Sequence, residues 1–251
     1  MFDRRHKLTL AALIGALMFP AGQMVAQENS TRVAWAPSYG GACADCDLRE
    51  RNLSGWDISN AHYPRADLSG ALLRATRAMN VNFAGAVAER TDFRQAVLDG
   101  ASFNDAELLQ ARFDNASLLN TNLADAMLNG AKLRKSKLNG ANLRRTDLSN
   151  SFAEGADFSG ANVSGAIFDS ARLAGAQFNN TIMIGTSFKD TALDQASFAN
   201  VRLLDVDFTG ATGTDSIDFS GACTDPLSRL PEGLEIGPCA PLEGAMVVEL
   251  Q

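Results

Sequence analysis

Residues 141–165 read ANLRR TDLSN SFAEG ADFSG ANVSG, five pentads in a row in which a small residue opens each unit and an apolar residue usually sits at its centre. Stepping outward by five from these centres, the pattern runs from Leu48 to Phe208, 33 centres without a register slip. Twenty-six centres are Leu or Phe; the others are Ile58, Tyr63, Ala78, Ala88, Ala153, Val163 and Met183, and none is charged. Two residues before each centre stands Ala at 18 positions and Thr at seven, with Ser, Val or Cys46 elsewhere, and only Arg51 and Trp56 break the rule. A helix cannot use this period, because a five-residue step rotates about 500° at 3.6 residues per turn and scatters the apolar positions. A flat strand fails too, since an odd step alternates faces. A backbone that turns a corner every five residues places both positions inside, and four corners make a coil of about 20 residues.

The segments Ala66-Asp67-Leu68-Ser69-Gly70, Ala141-Asn142-Leu143-Arg144-Arg145, Ala156-Asp157-Phe158-Ser159-Gly160 and Ala161-Asn162-Val163-Ser164-Gly165 resemble the A(D/N)LXX consensus of pentapeptide-repeat proteins, and the resemblance spans roughly residues 46–222. It implies an all-β fold, the right-handed four-sided parallel β-helix of that family, with about eight coils. Spacing of 20 agrees: Phe168, Phe188 and Phe208 fall in one column, which Leu108, Leu128 and Leu148 continue, and Phe158, Phe178 and Phe198 fall in another. Asn82, Ser102, Asn122, Asn142 and Asn162 make a polar column suited to hydrogen-bonded ladders. At a rung spacing of roughly 4.8 Å the rod is about 40 Å long, and its ends need caps. Gly or Asn recurs two residues after the centre, as at Gly70, Asn150 and Gly160, where a corner accepts positive φ, and Pro64 suits the second place of a β-turn. The phase is lost after Ala211 and resumes one residue late at Ile217 and Phe219, which reads as a last, bulged face.

The start of the chain reads as a secretory signal over residues 1–26: Arg4, Arg5 and Lys7, then an apolar run Leu8–Phe19 too short to span a bilayer, then Pro20 and small residues up to Ala26. Met24 occupies a place where a small residue is preferred if cleavage follows Ala26. The expected product is exported, periplasmic or extracellular, with no transmembrane segment. Residues 27–45 are read as a leader or cap that includes Trp35, residues 46–222 as the solenoid and residues 223–251 as an acidic cap or tail. Losing residues 1–26 takes the net charge from −7 to −9, because Arg4, Arg5 and Lys7 leave with Asp3. Most of the excess lies beyond Thr214, while residues 27–213 carry only −3. Such a balance argues against direct binding of nucleic acid, which needs a basic surface.

The rod length separates Cys43 and Cys46 from Cys223 and Cys239, so the expected disulfides are Cys43–Cys46 and Cys223–Cys239. The alternative for the Cys43-Ala44-Asp45-Cys46 run, a redox or metal site, lacks a second CxxC and a nearby His. No catalytic, cofactor-binding or metal residue is expected: His62 is the only histidine after residue 26 and points outward, and no G-x-S-x-G, H-E-x-x-H or Walker loop is present. Lys132, Arg134, Lys135, Lys137, Arg144 and Arg145 place six cations within 14 residues. They are either a solvated band or a docking patch for an acidic partner or anionic surface. Two functions are weighed: a non-enzymatic exported rod that binds an unknown protein partner, with homodimerisation through the tail and its apolar Ala245–Leu250 end, and an alternative implied by the resemblance. Some family members are similar to a DNA duplex in size and charge and bind type II topoisomerases; a rod body of −3 is weakly charged for that role.

Overall fold

The computed structural model describes residues 41–240, so the signal, most of the leader and the Ala245–Leu250 segment lie outside the described residues. Within them the chain winds into a four-sided coil. Up to Ala192, each residue just before a centre bridges in parallel to the residue 20 places on, a ladder that begins with Ala42 and His62 and runs through pairs such as Asp67 and Val87 or Asn142 and Asn162. The sides lengthen into strands only at β1 (Ile182–Ile184), β2 (Arg202–Leu204) and β3 (Cys223–Thr224), which form one parallel sheet in that order.

Following one pentad through its backbone donors explains its composition. The Asp67 N–H donates to Cys46 O at 2.8 Å on the coil below, while Leu68 N–H reaches Val87 O at 2.7 Å and Gly70 N–H reaches Glu89 O at 2.9 Å on the coil above. Ala71 N–H closes the corner on Leu68 O at 2.8 Å. The donor left over is Ser69 N–H, and the Asp67 carboxylate accepts it at 3.0 Å. The same bond joins Asp57 to Ser59, Asn82 to Ala84, Asp147 to Ser149, Asp157 to Ser159 and Asn162 to Ser164. Asp or Asn is therefore favoured before the centre because a short acceptor there satisfies a backbone N–H that has no carbonyl to meet. At some positions where that residue is something else, an acceptor on the coil below substitutes, as Asp99 does for Leu119 N–H and Asn179 for Ala199 N–H.

The corners have the hydrogen bond and the left-handed third residue of type II turns. Glycine is not required for it: Arg65, Ala75, Arg90, Gln95 and Lys135 are among 22 non-glycine residues with positive φ. Bonds to the coils on either side hold each corner so firmly that the local preference is overridden.

All 33 centres are buried. Phe158 and Phe178 stack at 4.8 Å between ring centroids, Phe168 and Phe188 at 5.0 Å, and the two columns, on opposite sides of the coil, meet edge to face, Phe168 to Phe178 at 5.5 Å. Lower down, Phe93 and Phe113 stack at 4.9 Å, with Phe83 and Phe103 opposite them. Between these two aromatic stretches the centres from Leu118 to Leu148 are all Leu. The aromatic pair thus switches from one pair of opposed sides to the other. Buried threonines satisfy their hydroxyls on backbone carbonyls, Thr91 on Leu68 O at 2.7 Å and Thr146 on Leu123 O at 2.8 Å. The polar column forms bonds only in part: Asn142 donates to Asn122 at 3.0 Å and Asn82 meets His62 at 3.1 Å, but Ser102 turns to Asn104.

Both ends differ from the sequence reading. Cys43–Cys46 is already a regular corner, with Cys43 N–H on His62 O at 2.8 Å. No coil lies beneath this one among the described residues, which is why Arg51 and Trp56 fit where small residues stand elsewhere, and Trp56 packs against the core. Nor is the bulge the last face. Gly213, with φ of 72°, caps a 3₁₀ turn over Thr214–Ser216 that absorbs the extra residue. Pairing then resumes at new spacings: Arg202 with Cys223, Asp207 with Arg229, and finally Thr224 with Pro238. Phe219 stacks on Phe198 at 5.3 Å and closes the aromatic column.

Asp157→Ala strands the Ser159 N–H and is expected to lower stability by about 1 kcal/mol in urea unfolding, whereas Asp157→Asn, which keeps an acceptor, should stay close to the parent protein. Corner carboxylates also make the rod acid-sensitive. Burial works to raise the Asp207 carboxyl, but the Thr209 hydroxyl and N–H and the Arg229 guanidinium lower it further, to about 2. The Arg49 guanidinium takes Asp47 to about 2 as well. Carboxylates depressed by folding stabilise fully above their unfolded value near 4 and cease to do so as pH falls through about 2. The thermal midpoint should therefore be level between about pH 5 and 7 and decline between about pH 4 and 2, read by circular dichroism.

Candidate functional site

The four-sided register decides which surface residues are neighbours. Residues five apart lie on adjacent sides, and residues 20 apart lie one above the other. The six clustered cations consequently do not form one patch. Lys132, Arg134 and Lys135 occupy one side and the corner after it, Lys137 the next side, and Arg144 and Arg145 the corner diagonally across from Lys135. Arg145 is held there by Asp125 at 2.6 Å, which raises the guanidinium further above its ordinary value and lowers the Asp125 carboxyl.

Lys132 and Arg134 instead join residues from earlier coils that the linear sequence keeps apart. Together with Arg74, Arg94 and Arg112 they line a surface cavity of about 330 Å³, in which Gln95, Asp114 and Asn115 are the remaining lining residues. At its upper edge Arg134 binds Glu154 at 3.1 Å, a carboxylate shared with Arg172 at 3.1 Å. Both guanidinium groups lie over the ring of Phe152, at 5.3 and 5.5 Å from its centroid. Phe152 faces outward because the rung register, not local hydrophobicity, assigns the side in the SFAEG pentad, whose inward centre is Ala153. At the lower edge Arg94 grips Asp92, with Nε to Oδ1 at 2.7 Å. Burial acts to raise the Asp92 carboxyl; the Arg94 hydrogen bonds overcome it and hold the group below its usual range. The signal that could have found this site was present at spacing 20: Arg74 with Arg94, and Arg112 with Lys132.

The cysteines are bonded as Cys43–Cys46, with Cα atoms 5.6 Å apart, and Cys223–Cys239, 4.7 Å apart. The second bond joins β3 to the segment laid across it, where Thr224 N–H meets Gly237 O at 3.0 Å and Cys239 N–H meets Thr224 O at 2.9 Å. His62 is exposed, on the side beneath Asn82. Among the described residues no cluster of three His, Cys, Asp or Glu side chains is placed to hold a metal ion, and no helix is long and apolar enough to cross a membrane.

Two profiles of pentapeptide repeats match the chain, one over residues 79–113, 101–140 and 136–175 and the other over 168–212, more than half of its length together. The chain belongs to the pentapeptide-repeat family. Its solenoid is the right-handed, four-sided β-helix of that family. Similar solved structures include a trypsin-treated form of QnrB1, a plasmid-mediated fluoroquinolone resistance protein, at 18% identity over 74% of this chain and 93% of that one, with a TM-score of 0.50. HetL, a pentapeptide repeat protein involved in regulating heterocyst differentiation in the cyanobacterium Nostoc sp. strain PCC 7120, is 26% identical over 72% of this chain and 84% of its own, with a TM-score of 0.38. A pentapeptide repeat protein of the Arabidopsis thaliana thylakoid lumen is 30% identical over 54% of this chain and 82% of its own, with a TM-score of 0.17. No curated protein matches.

The two disulfides close loops of different length, and the entropy of the loop sets their expected worth at about 3 kcal/mol for Cys223–Cys239 and about 2 kcal/mol for Cys43–Cys46. Cys239→Ser is expected to release the last rung, seen as faster amide exchange at Thr224 and Cys223 with the middle coils unchanged. Equal exchange in variant and parent would show that the rung does not depend on the bond.

Proposed function

We propose that this pentapeptide-repeat protein is a non-enzymatic interaction rod that acts outside the cytoplasm and docks a protein partner on the upper end of one side. The observation that carries the reading is the outward face of the β1–β2–β3 sheet. There Ile182 and Ile184, two residues apart on β1, leave 48% and 49% of their surface to solvent, and Leu204 lies directly above Ile184. Large β-branched side chains exposed together on a regular sheet are what a docking surface presents. The scaffold beneath is stiff, since every rung is bonded to the next and the centres pack ring on ring. Little ordering cost remains to be met when a partner arrives.

Two bonded cysteine pairs and the basic, apolar start of the chain support an oxidising compartment as its place of work. A duplex-mimic reading fits less well. Mimicry of DNA needs a continuous acidic surface, whereas residues 27–213 sum to −3 and five cations converge on the cavity in their middle.

Ile182→Glu with Ile184→Glu is expected to leave the melting temperature within about 1 °C, because both side chains are outside the core, and to abolish retention of the partner captured by the parent protein from envelope extracts. Undiminished capture by the double variant would remove this face from the reading. Cell fractionation tests the compartment: mature protein found in the cytoplasm would overturn it.

A further inference from the structure

On most of the rod, stacking at spacing 20 puts charge against opposite charge or against a neutral residue, and the carboxylates that do stack, Asp47 with Asp67 and Asp105 with Asp125, each have a cation beside them: Arg49 for the first pair, Arg145 for the second. Arg65 sits over Asp45 at 2.7 Å and Arg145 over Asp125 at 2.6 Å, and beyond the bulge Arg229 lies over Asp207 at 2.8 Å. Arg77 likewise approaches Asp57 at 3.8 Å. At two places among the described residues cation stacks on cation: Arg94 over Arg74, and Lys132 over Arg112. Both pairs occur on the same side, on successive coils, and all four residues line the one cavity of about 330 Å³.

Like charges on adjacent rungs repel, and the nearby carboxylates offset them only in part. Asp92, under Arg112, is hydrogen-bonded to Arg94 and also feels Arg112, Asp114 acts on Arg94, and Glu154 is shared between Arg134 and Arg172. Arg74, Arg112 and Lys132 make no ion pair with any described residue, and the Arg112 Nε is buried with no hydrogen-bond partner. Asp114 is the one carboxylate lining the cavity, against five cations. Guanidinium groups repeated at rung spacing, roughly 4.8 Å, present forked donors at a separation that several oxygens of one tetrahedral anion can bridge.

We propose that this cavity is a binding site for a phosphoryl group, a dianion of the phosphate-monoester type, seated between the Arg74–Arg94 and Arg112–Lys132 pairs, with Arg134 held ready at the upper edge by Glu154 and Phe152. The anion supplies the negative charge that the stacked cations lack and gives the buried Arg112 Nε an acceptor. Asp114 limits the site to ligands whose charge outweighs its own, so a dianion is favoured over chloride. This site is distinct from the isoleucine face proposed for protein docking, and either assignment can fail without the other.

Thermal unfolding and titration calorimetry of the full mature chain test it, with inorganic phosphate and glycerol phosphate as probes and chloride at equal ionic strength as reference. Both phosphates are expected to raise the melting temperature beyond chloride and to bind with one site per chain. Arg112→Gln is expected to weaken binding about tenfold or more. Lys132→Glu has a signature that a general salt effect does not reproduce: it places a carboxylate over Arg112, so it should raise the melting temperature in chloride and abolish the response to phosphate. Sedimentation with phosphatidylcholine vesicles, with and without phosphatidic acid, separates the sources. Binding only to the free phosphates assigns a soluble ligand, and added binding to phosphatidic acid vesicles assigns a membrane headgroup. The proposal is overturned if neither source binds, or if Lys132→Glu and Arg112→Gln both respond to phosphate as the parent does.

Discussion

The hydrogen bond that the N–H after a centre donates to an Asp or Asn standing just before that centre is the contact that lets a unit such as Ala66–Gly70 form a complete side. The other four backbone donors of a typical unit find carbonyls on the coil above, the coil below or across the corner. Only the donor in the middle of the corner has nowhere to go, and a side chain one bond longer or shorter than Asp or Asn does not reach it as well. Once that donor is satisfied the unit needs nothing from its own sequence neighbours, and it can repeat indefinitely. Positive φ at Arg65, Ala75 or Lys135 follows from the same logic, since the ladder supplies what those residues locally disfavour.

Packing imposes the second condition. The interior is a narrow channel whose four centres per coil share one cross-section, and two Phe rings on opposed sides fill much of it. Coils that use Phe on one opposed pair carry Ala, Val, Met or Leu on the other: Phe83 and Phe93 alternate with Ala78 and Ala88, and Phe158 and Phe168 with Ala153 and Val163. The exchange of roles takes place through all-Leu coils between Leu118 and Leu148, which any pair of sides can accommodate. A direct junction of the two aromatic stretches would set four rings against one another in adjacent coils with no stacking partner for half of them.

Five-residue periodicity made the fold readable from the chain, because burial alternates within every pentad and the centres tolerate no charge. The 20-residue column was readable too, from Phe on Phe. The ends were harder. A lost phase after Ala211 signals an inserted residue, but nothing local says that pairing continues with Cys223 and Arg229, or that Pro238 lies on Thr224, since those partners are chosen by the shape of the turn over Thr214–Ser216. Arg51 and Trp56 looked like defects in the pattern; they belong to the first described coil, which has no neighbour below it among the described residues and so has room for larger side chains.

Surface chemistry is the level at which linear reading misleads most. Six cations between Lys132 and Arg145 stand with no carboxylate among them, yet every fifth residue turns a corner, so the run is spread around the rod and Arg145 is neutralised by Asp125 from the coil below. The cavity draws its five cations from coils that begin 20 residues apart, and no window of the sequence containing fewer than three coils includes them all. In a solenoid of fixed coil length, neighbours on a side are separated by whole coils in the chain. A surface that has been shaped to hold something is accordingly written as a column, and its mark here is the stacking of cation on cation. Arg74 under Arg94 and Arg112 under Lys132 are such a column: cation retained on cation over four successive coils of one side, on a rod whose other like-charge stacks, Asp47 with Asp67 and Asp105 with Asp125, are acidic.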